Sequence, residues 1–380
     1  MRNGMPAYMQ RAVVVSVTVF CAFWHVGDAA AQSLLDPIIL AIQGDLWSWE
    51  GTDQVPTQIT QSGYIESPVV SPDGTRIAFS AAPSTYADWV HSVGGAGGFT
   101  PPQDVSILDL TSGQIDVVAD QGADAVWDGP TRPGKYILRS TPAWSPDGLH
   151  LVWMAHKIDT LSATSDEENG LAELVIYDLM TKSHRVLDSF PLSRQFTGLI
   201  DVQWGRLSIA VKIGLRSYTS ARQLRFYDLS GDLLSHTVFE RDNLEDYFSA
   251  VWMQDVNEDY LYDLGSGNRL NWQTGQTETF IGNPELYSVS SPNGASILFS
   301  ESGWQLLLQG QVVSNLGTNV HNLGVSRDGQ SVVYSRIERN PATGNRDHTV
   351  IVLLQGQTIE IGRYQNARIV WGPIGWRVHR

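Results

Sequence analysis

The feature that most restricts what this 380-residue chain can fold into is a short hairpin signature that keeps returning. Residues 142–154 read PAWSPDGLHLVWM and residues 68–80 read PVVSPDGTRIAFS. In Ser-Pro-Asp-Gly, the proline sets φ near the value that the second position of a type I turn requires. The glycine then takes a left-handed conformation without steric cost, and the Ser and Asp side chains cap the free amides of the turn. Apolar runs on both sides make the whole a tight β-hairpin. Related copies occur at 288–300 (SVSSPNGASILFS) and 323–335 (LGVSRDGQSVVYS). A shortened copy lies at 202–211 (VQWGRLSIAV), a lengthened one at 250–264 (AVWMQDVNEDYLYDL), and a last one ends the chain at 368–380 (RIVWGPIGWRVHR).

A second hairpin type follows each of the first six copies, at 105–118, 174–187, 224–238, 269–280, 305–316 and 349–361. Its seventh member, DLWSWEGTDQVPTQIT (45–60), precedes them all. Each repeat is one four-stranded antiparallel unit, with strands A to D. An irregular period of a few tens of residues without helical periodicity predicts an all-β fold, a seven-bladed β-propeller of four-stranded blades. The offset between the two series predicts closure, with N- and C-terminal strands sharing one blade so that no sheet edge stays open there. Two segments compete for the B slot of that blade, Ile38–Ile42 and Trp376–His379.

The strong copies, Ser71-Pro72-Asp73-Gly74 and Ser145-Pro146-Asp147-Gly148, and the weaker Ser291-Pro292-Asn293-Gly294 and Ser326-Arg327-Asp328-Gly329, resemble the PD40 (WD40-like), or TolB-like, propeller repeat. The similarity spans nearly the whole chain after its leader. It implies the propeller fold but no single function, because the family includes translocation-system partners, propeller domains of prolyl-oligopeptidase-type peptidases and other exported proteins. No α/β domain is read ahead of the first strand, and no Gly-x-Ser-x-Gly hydrolase elbow occurs. The chain therefore reads as a bare propeller.

Arg2 and Arg11, the apolar run Ala12–Trp24 and the small residues Ala29-Ala30-Ala31 have the form of a secretory signal peptide. The apolar run is too short to span a membrane. Residues 1–31 are read as that leader and 32–380 as one propeller domain, periplasmic or secreted, with no membrane span in the mature chain. The only cysteine, Cys21, lies in the leader, so the mature chain has no disulfide. The net charge is −15, and −16 once Arg2, Arg11 and Asp28 are removed. Charge of this sign repels phosphate backbones, which argues against nucleic acid as a partner.

Function is sought in the B–C loops and D–A connections, where nearly all the extra length falls: 81–103, 119–140, 155–173, 212–223 and 336–348. Loops longer than connection requires carry function when rigid strands position them. The binding candidates are Tyr86, Trp89, His91, Trp127, Asp128, Arg216 and Tyr218, with the acidic run Asp166-Glu167-Glu168 beside them. Tyr and Trp bury large areas at low entropic cost, which suits a protein, peptide or glycan partner. The same aromatics also suit small loop cores. Trp144, Trp204, Trp252 and Trp371 recur at one repeat position and read as blade-to-blade packing. Asp255, Asn257, Asp259 and Asp263 place oxygens at a spacing Ca²⁺ can use, and resemble the calcium loops of integrin-type propellers. Glu258 and Tyr260 stand where those loops have glycine, so the segment reads first as an elongated turn with solvated carboxylates, and no cofactor is required. No metal-protease, cysteine-pair or phosphate-loop motif occurs. The chain reads as a non-enzymatic binder. The alternative is a polymer-acting hydrolase or lyase at the channel mouth, metal-assisted.

Overall fold

The computed structural model describes residues 38–51, 55–92, 101–126, 134–159, 170–192, 200–205, 208–213, 222–239, 250–251, 260–263, 268–271, 276–279, 287–290, 295–300, 303–308, 311–317, 320–325, 331–340, 346–354, 357–365 and 367–370. Among these residues the fold is strand throughout except for one helix. In chain order, sheet one holds β1 (Ile38–Ile42), β2 (Asp45–Trp49) and β3 (Thr57–Gln58). Sheet two holds β4 (Ile65–Val70), β5 (Arg76–Ala81), β6 (Asp104–Asp109) and β7 (Ile115–Ala119), with helix α1 (Ser84–Ser92) between β5 and β6. Sheet three holds β8 (Lys135–Arg139), β9 (Ala143–Trp144), β10 (His150–Asp159), β11 (Gly170–Asp178) and β12 (Ser183–Pro191). Sheet four holds β13 (Ile200–Trp204), β14 (Ser208–Ile213), β15 (Arg222–Asp228) and β16 (Leu233–Phe239). Sheet five holds β17 (Ala250–Val251), β18 (Tyr260–Asp263), β19 (Asn268–Asn271) and β20 (Thr277–Thr279), and sheet six β21 (Tyr287–Ser290), β22 (Ala295–Ser300), β23 (Gly303–Leu308) and β24 (Gln311–Gly317). Sheet seven holds β25 (His321–Val325), β26 (Ser331–Arg339), β27 (Arg346–Leu354) and β28 (Gln357–Gln365), after which β29 (Ala367–Val370) returns to pair with β1.

The turns behave as their residues dictate. In the β4–β5 hairpin, Gly74 N–H donates to Ser71 O (2.9 Å), and Gly74 has φ 76°. The buried Ser71 hydroxyl donates to Asp73 Oδ1 (2.5 Å) and accepts from Arg76 N–H (3.0 Å), while Asp73 Oδ1 also accepts from Thr75 N–H (3.0 Å). The β9–β10 turn repeats this bond for bond through Ser145, Asp147, Leu149 and His150. The C–D turns use a different cap. Asp109, Asp178 and Asp228 each close the last turn-facing position of a C strand and accept from two or three amides that follow. Those amides hold all three carboxyls below the usual range.

Sheets seven, one, two, three and four pack face to face in succession. Ile38, Leu40 and Ile42 of β1 lie against Val333, Val350 and Val352 of sheet seven. The alternate residues Ile39 and Ala41 lie against Ile65, Ile77, Phe79 and Leu108 of sheet two. Sheet two meets sheet three through Ala78, Ile107, Trp153 and Tyr177. Sheet three meets sheet four through Met154, Leu174, Phe190, Val211 and Tyr227. The first strands β4, β9 and β13 neighbour one another, as do β25, β29 and β4 through β29. This face-to-face succession with inner strands together is β-propeller architecture.

Of the two segments that compete for the B slot of sheet one, β1 takes it, in register Ile39↔Val370 to Ile42↔Ala367 with β29. Residues 376–379 lie outside the described residues. The reason is burial on both faces. Every residue of β1 is buried, and a fully buried Ile or Leu contributes about 2 kcal/mol against about 1 kcal/mol for a ladder hydrogen bond. One expectation is corrected, that of loop length. β10 runs on to Asp159 and β11 begins at Gly170, so residues 155–159 and 170–173 are hairpin arms rather than loop. The same holds for Lys212–Ile213, Arg222–Gln223, Arg336–Arg339 and Arg346–His348, and β8 takes 135–139 from the D–A connection. Polar arms such as HKID and GLAE lack apolar alternation, and an exposed pair, Lys157 Nζ to Glu173 Oε1 (2.6 Å), joins them across the hairpin.

Candidate functional site

The described part of the long-loop face is built by α1, the 119–126 connection, β8 and the arms of β10 and β11. Pro83 O accepts from Tyr86 and Ala87 N–H (3.0 and 3.1 Å), which starts the helix. Tyr86 and Ala87 turn inward and are buried, whereas Asp88 is exposed and Trp89 half-buried. The Tyr86 and Trp89 rings lie 5.6 Å apart. Burial raises the Tyr86 hydroxyl pKa, and Tyr136 of β8 adds to the shift. Tyr86 thus anchors the helix to the scaffold, and Trp89 offers its remaining surface outward.

The ends of β6, β7 and β8 hold a buried polar network that no sequence pattern marks. The Arg139 side chain is 6% exposed. Its two terminal nitrogens donate to Gln103 O (2.6 Å) and Asp120 O (2.5 Å), and Asp104 Oδ1 stands 3.8 Å away. Gln121 completes the network, donating to Gln103 O and Ile137 O and accepting from Ile137 N–H (2.9, 3.0 and 2.8 Å). Burial lowers the Arg139 pKa to about 10, opposed by Asp104 and Asp120, so it remains charged at neutral pH. Burial raises the Asp104 carboxyl, against the pull of Arg139. The network ties the ends of β6 and β7 to β8, which fixes where α1 and the connection sit. At the surface, Lys135 pairs with Asp124, and Val126 and Lys135 exchange backbone hydrogen bonds (2.7 and 2.8 Å). No sequence pattern singles out Arg139, which closes KYILR, a run that also opens on a lysine.

The other candidates divide as follows. His91 lies on α1. Trp127, Asp128, Asp166, Glu167, Glu168, Arg216 and Tyr218 lie outside the described residues, as do Asp255, Asn257 and Asp259. Asp263 ends β18, paired in register with Ala250 and Asn268. Among the described residues, no group of three or more His, Cys, Asp or Glu side chains could hold a metal ion. Of the recurrent tryptophans, Trp144 is buried and its Nε1–H donates to Val69 O of the preceding sheet (3.0 Å). Trp204 sets its ring 6.0 Å from His150 of the preceding sheet. Both pack sheet on sheet; Trp252 and Trp371 lie outside the described residues.

No family model matches the chain. No curated protein matches it. Among solved structures, it is similar to TolB from Acinetobacter baumannii (15% identity, TM-score 0.41), covering 87% of this chain and 64% of that one. It is similar to an oligogalacturonate lyase in complex with manganese (13% identity, TM-score 0.46), covering 77% of this chain and 79% of that one. It is also similar to Pyrococcus horikoshii acylaminoacyl peptidase (14% identity, TM-score 0.48), covering 84% of this chain but 48% of that one. The chain thus spans less than two thirds of the TolB and peptidase chains. No helix among the described residues is long and apolar enough to cross a membrane.

Proposed function

We propose that this chain is an exported, non-enzymatic β-propeller of the PD40, TolB-like kind, its seven sheets the blades of one closed ring. On this reading it binds a protein, peptide or glycan partner through the long-loop face of sheets two to four. The observation that carries the proposal is the asymmetry of the two faces. Among the described residues, one face carries short turns capped by their own Ser and Asp residues. The other carries a helix, an added strand and lengthened hairpin arms, held on a buried polar network. Such construction fixes a surface in place, and rigid placement of loops favours binding. Deleting the helix would expose the positions that Tyr86 and Ala87 cover, so the test is a substitution. Trp89→Ala is expected to leave the thermal midpoint nearly unchanged. It should remove a partner that the wild-type mature chain captures from an envelope extract. Capture of the same partner by both proteins would overturn the assignment of this face.

A further inference from the structure

His156 is fully buried on β10, on the side that carries Val152 and Met154 towards sheet four. Its Nε2 lies 3.0 Å from Leu192 O, just beyond the end of β12, and a carbonyl can only accept, so Nε2 carries the hydrogen. Nδ1 is buried without a partner. The third member of this contact is Gly170, at the start of β11, whose carbonyl accepts from Leu192 N–H (3.0 Å). A Cβ at Gly170 would stand 2.2 Å from both His156 Nε2 and Leu192 O, so glycine alone lets the three chain segments meet.

We propose that His156 is an acid-sensitive pin at the base of the long-loop face: its neutral ring ties the exit of β12 to the β10–β11 arms, and a proton on Nδ1 releases it. The proton would give the ring a second N–H that faces apolar packing with no acceptor, together with a buried charge. Burial lowers the His156 pKa from 6.5 to about 4, and the bond to the Leu192 carbonyl opposes the shift. Charged groups on the surrounding elements hold partners of their own. Lys157 pairs with Glu173 and Lys135 with Asp124. Arg139 binds the backbone of Gln103 and Asp120. Arg225 of β15 and the Tyr227 hydroxyl both bind Asp188 of β12 (3.2 and 2.7 Å). Asp159 on β10, His184 and Arg185 on β12, and His236 on β16 complete the set, with Asp201 and Lys212 opposite each other in the β13–β14 register. The sign follows from where the proton binds. A released ring titrates near 6.5 and a pinned ring near 4, so between those values the released state gains protons first. Release rises by up to tenfold per pH unit as the pH falls, and by roughly 80-fold between pH 6.5 and 4, since each state is half-protonated at its own end of that window.

That release regulates partner binding rests on the contact surface proposed above, but the pin itself is read without any partner. Hydrogen exchange of the full chain, corrected for intrinsic rates, is expected to show protection at the Leu192 amide falling roughly 80-fold from pH 6.5 to about 4. The Gly148 amide, in a turn of the same sheet, should keep its protection. His156→Gln keeps an amide donor for the Leu192 carbonyl but cannot titrate, and should abolish the pH dependence. Should that variant not fold, Gly170→Ala should show low Leu192 protection already at pH 6.5, with no further fall. Three outcomes overturn the proposal: Leu192 protection constant within about twofold in the wild type, loss at Leu192 and Gly148 in parallel, or an unchanged pH profile in His156→Gln.

Discussion

The β9–β10 turn closes within the six residues Ser145–His150, each bond made to a neighbour at most five positions away. On the opposite face, Arg139 takes its partners from 36 and 19 positions away. Both devices satisfy buried polar groups beside the same sheet. The turn does so with residues chosen for their own backbone preferences, and it forms with the same bonds at both described copies, Ser71–Arg76 and Ser145–His150. The network requires that sheets two and three already lie together. One face is therefore specified locally and repeated, and the other is specified once, by packing.

Four substitutions test that contrast, from the largest effect to the smallest. Arg139→Leu removes the cation of the network, leaving half-buried Asp104 without its counter-ion and Asp120 O without the Arg139 donor. We expect a loss of about 3 kcal/mol in urea unfolding, because removing one member of a buried charged set strands the others. A loss near zero would mean that the long-loop face is held by something other than this network. Ser145→Ala removes a buried hydroxyl that donates to Asp147 and accepts from His150 N–H, and should cost about 1 kcal/mol. Ser71→Ala should cost the same, since the two turns share their geometry; unequal costs would break the equivalence of the repeats. Asp178→Asn is expected to have the smallest effect, seen chiefly in acid. Turn amides lower the Asp178 pKa in the folded chain. Its contribution is therefore present above the ordinary value of 3.8 and lost as pH falls through the lower folded value. The variant should lose that acid-side dependence. An unchanged stability profile below pH 4 would show that the C–D caps do not couple to folding.

The repeat signature made the hairpins, their order and the all-β class legible, because proline, glycine and capping side chains act within a few residues. Trp144 was legible as packing because it recurs. The limits of the hairpin arms were not, since segments such as HKID carry no alternation and take their extension from partners across the sheet. Tyr86 was read as a candidate contact and is the buried anchor of α1. Its burial depends on β8, which the chain supplies about fifty residues later. Arg139, Gln121 and His156 carried no readable pattern at all, because each is defined by a backbone carbonyl from elsewhere.

Taken by itself, the order of residues determined which stretches turn and which extend, since those preferences are properties of single residues and their near neighbours. Only the tertiary structure decided that Ile38–Ile42 lies between β29 and β2 with both faces covered, and that an arginine and a histidine are enclosed beneath the long-loop face. Burial is a relation between segments remote in sequence, and it exists only once the sheets have met.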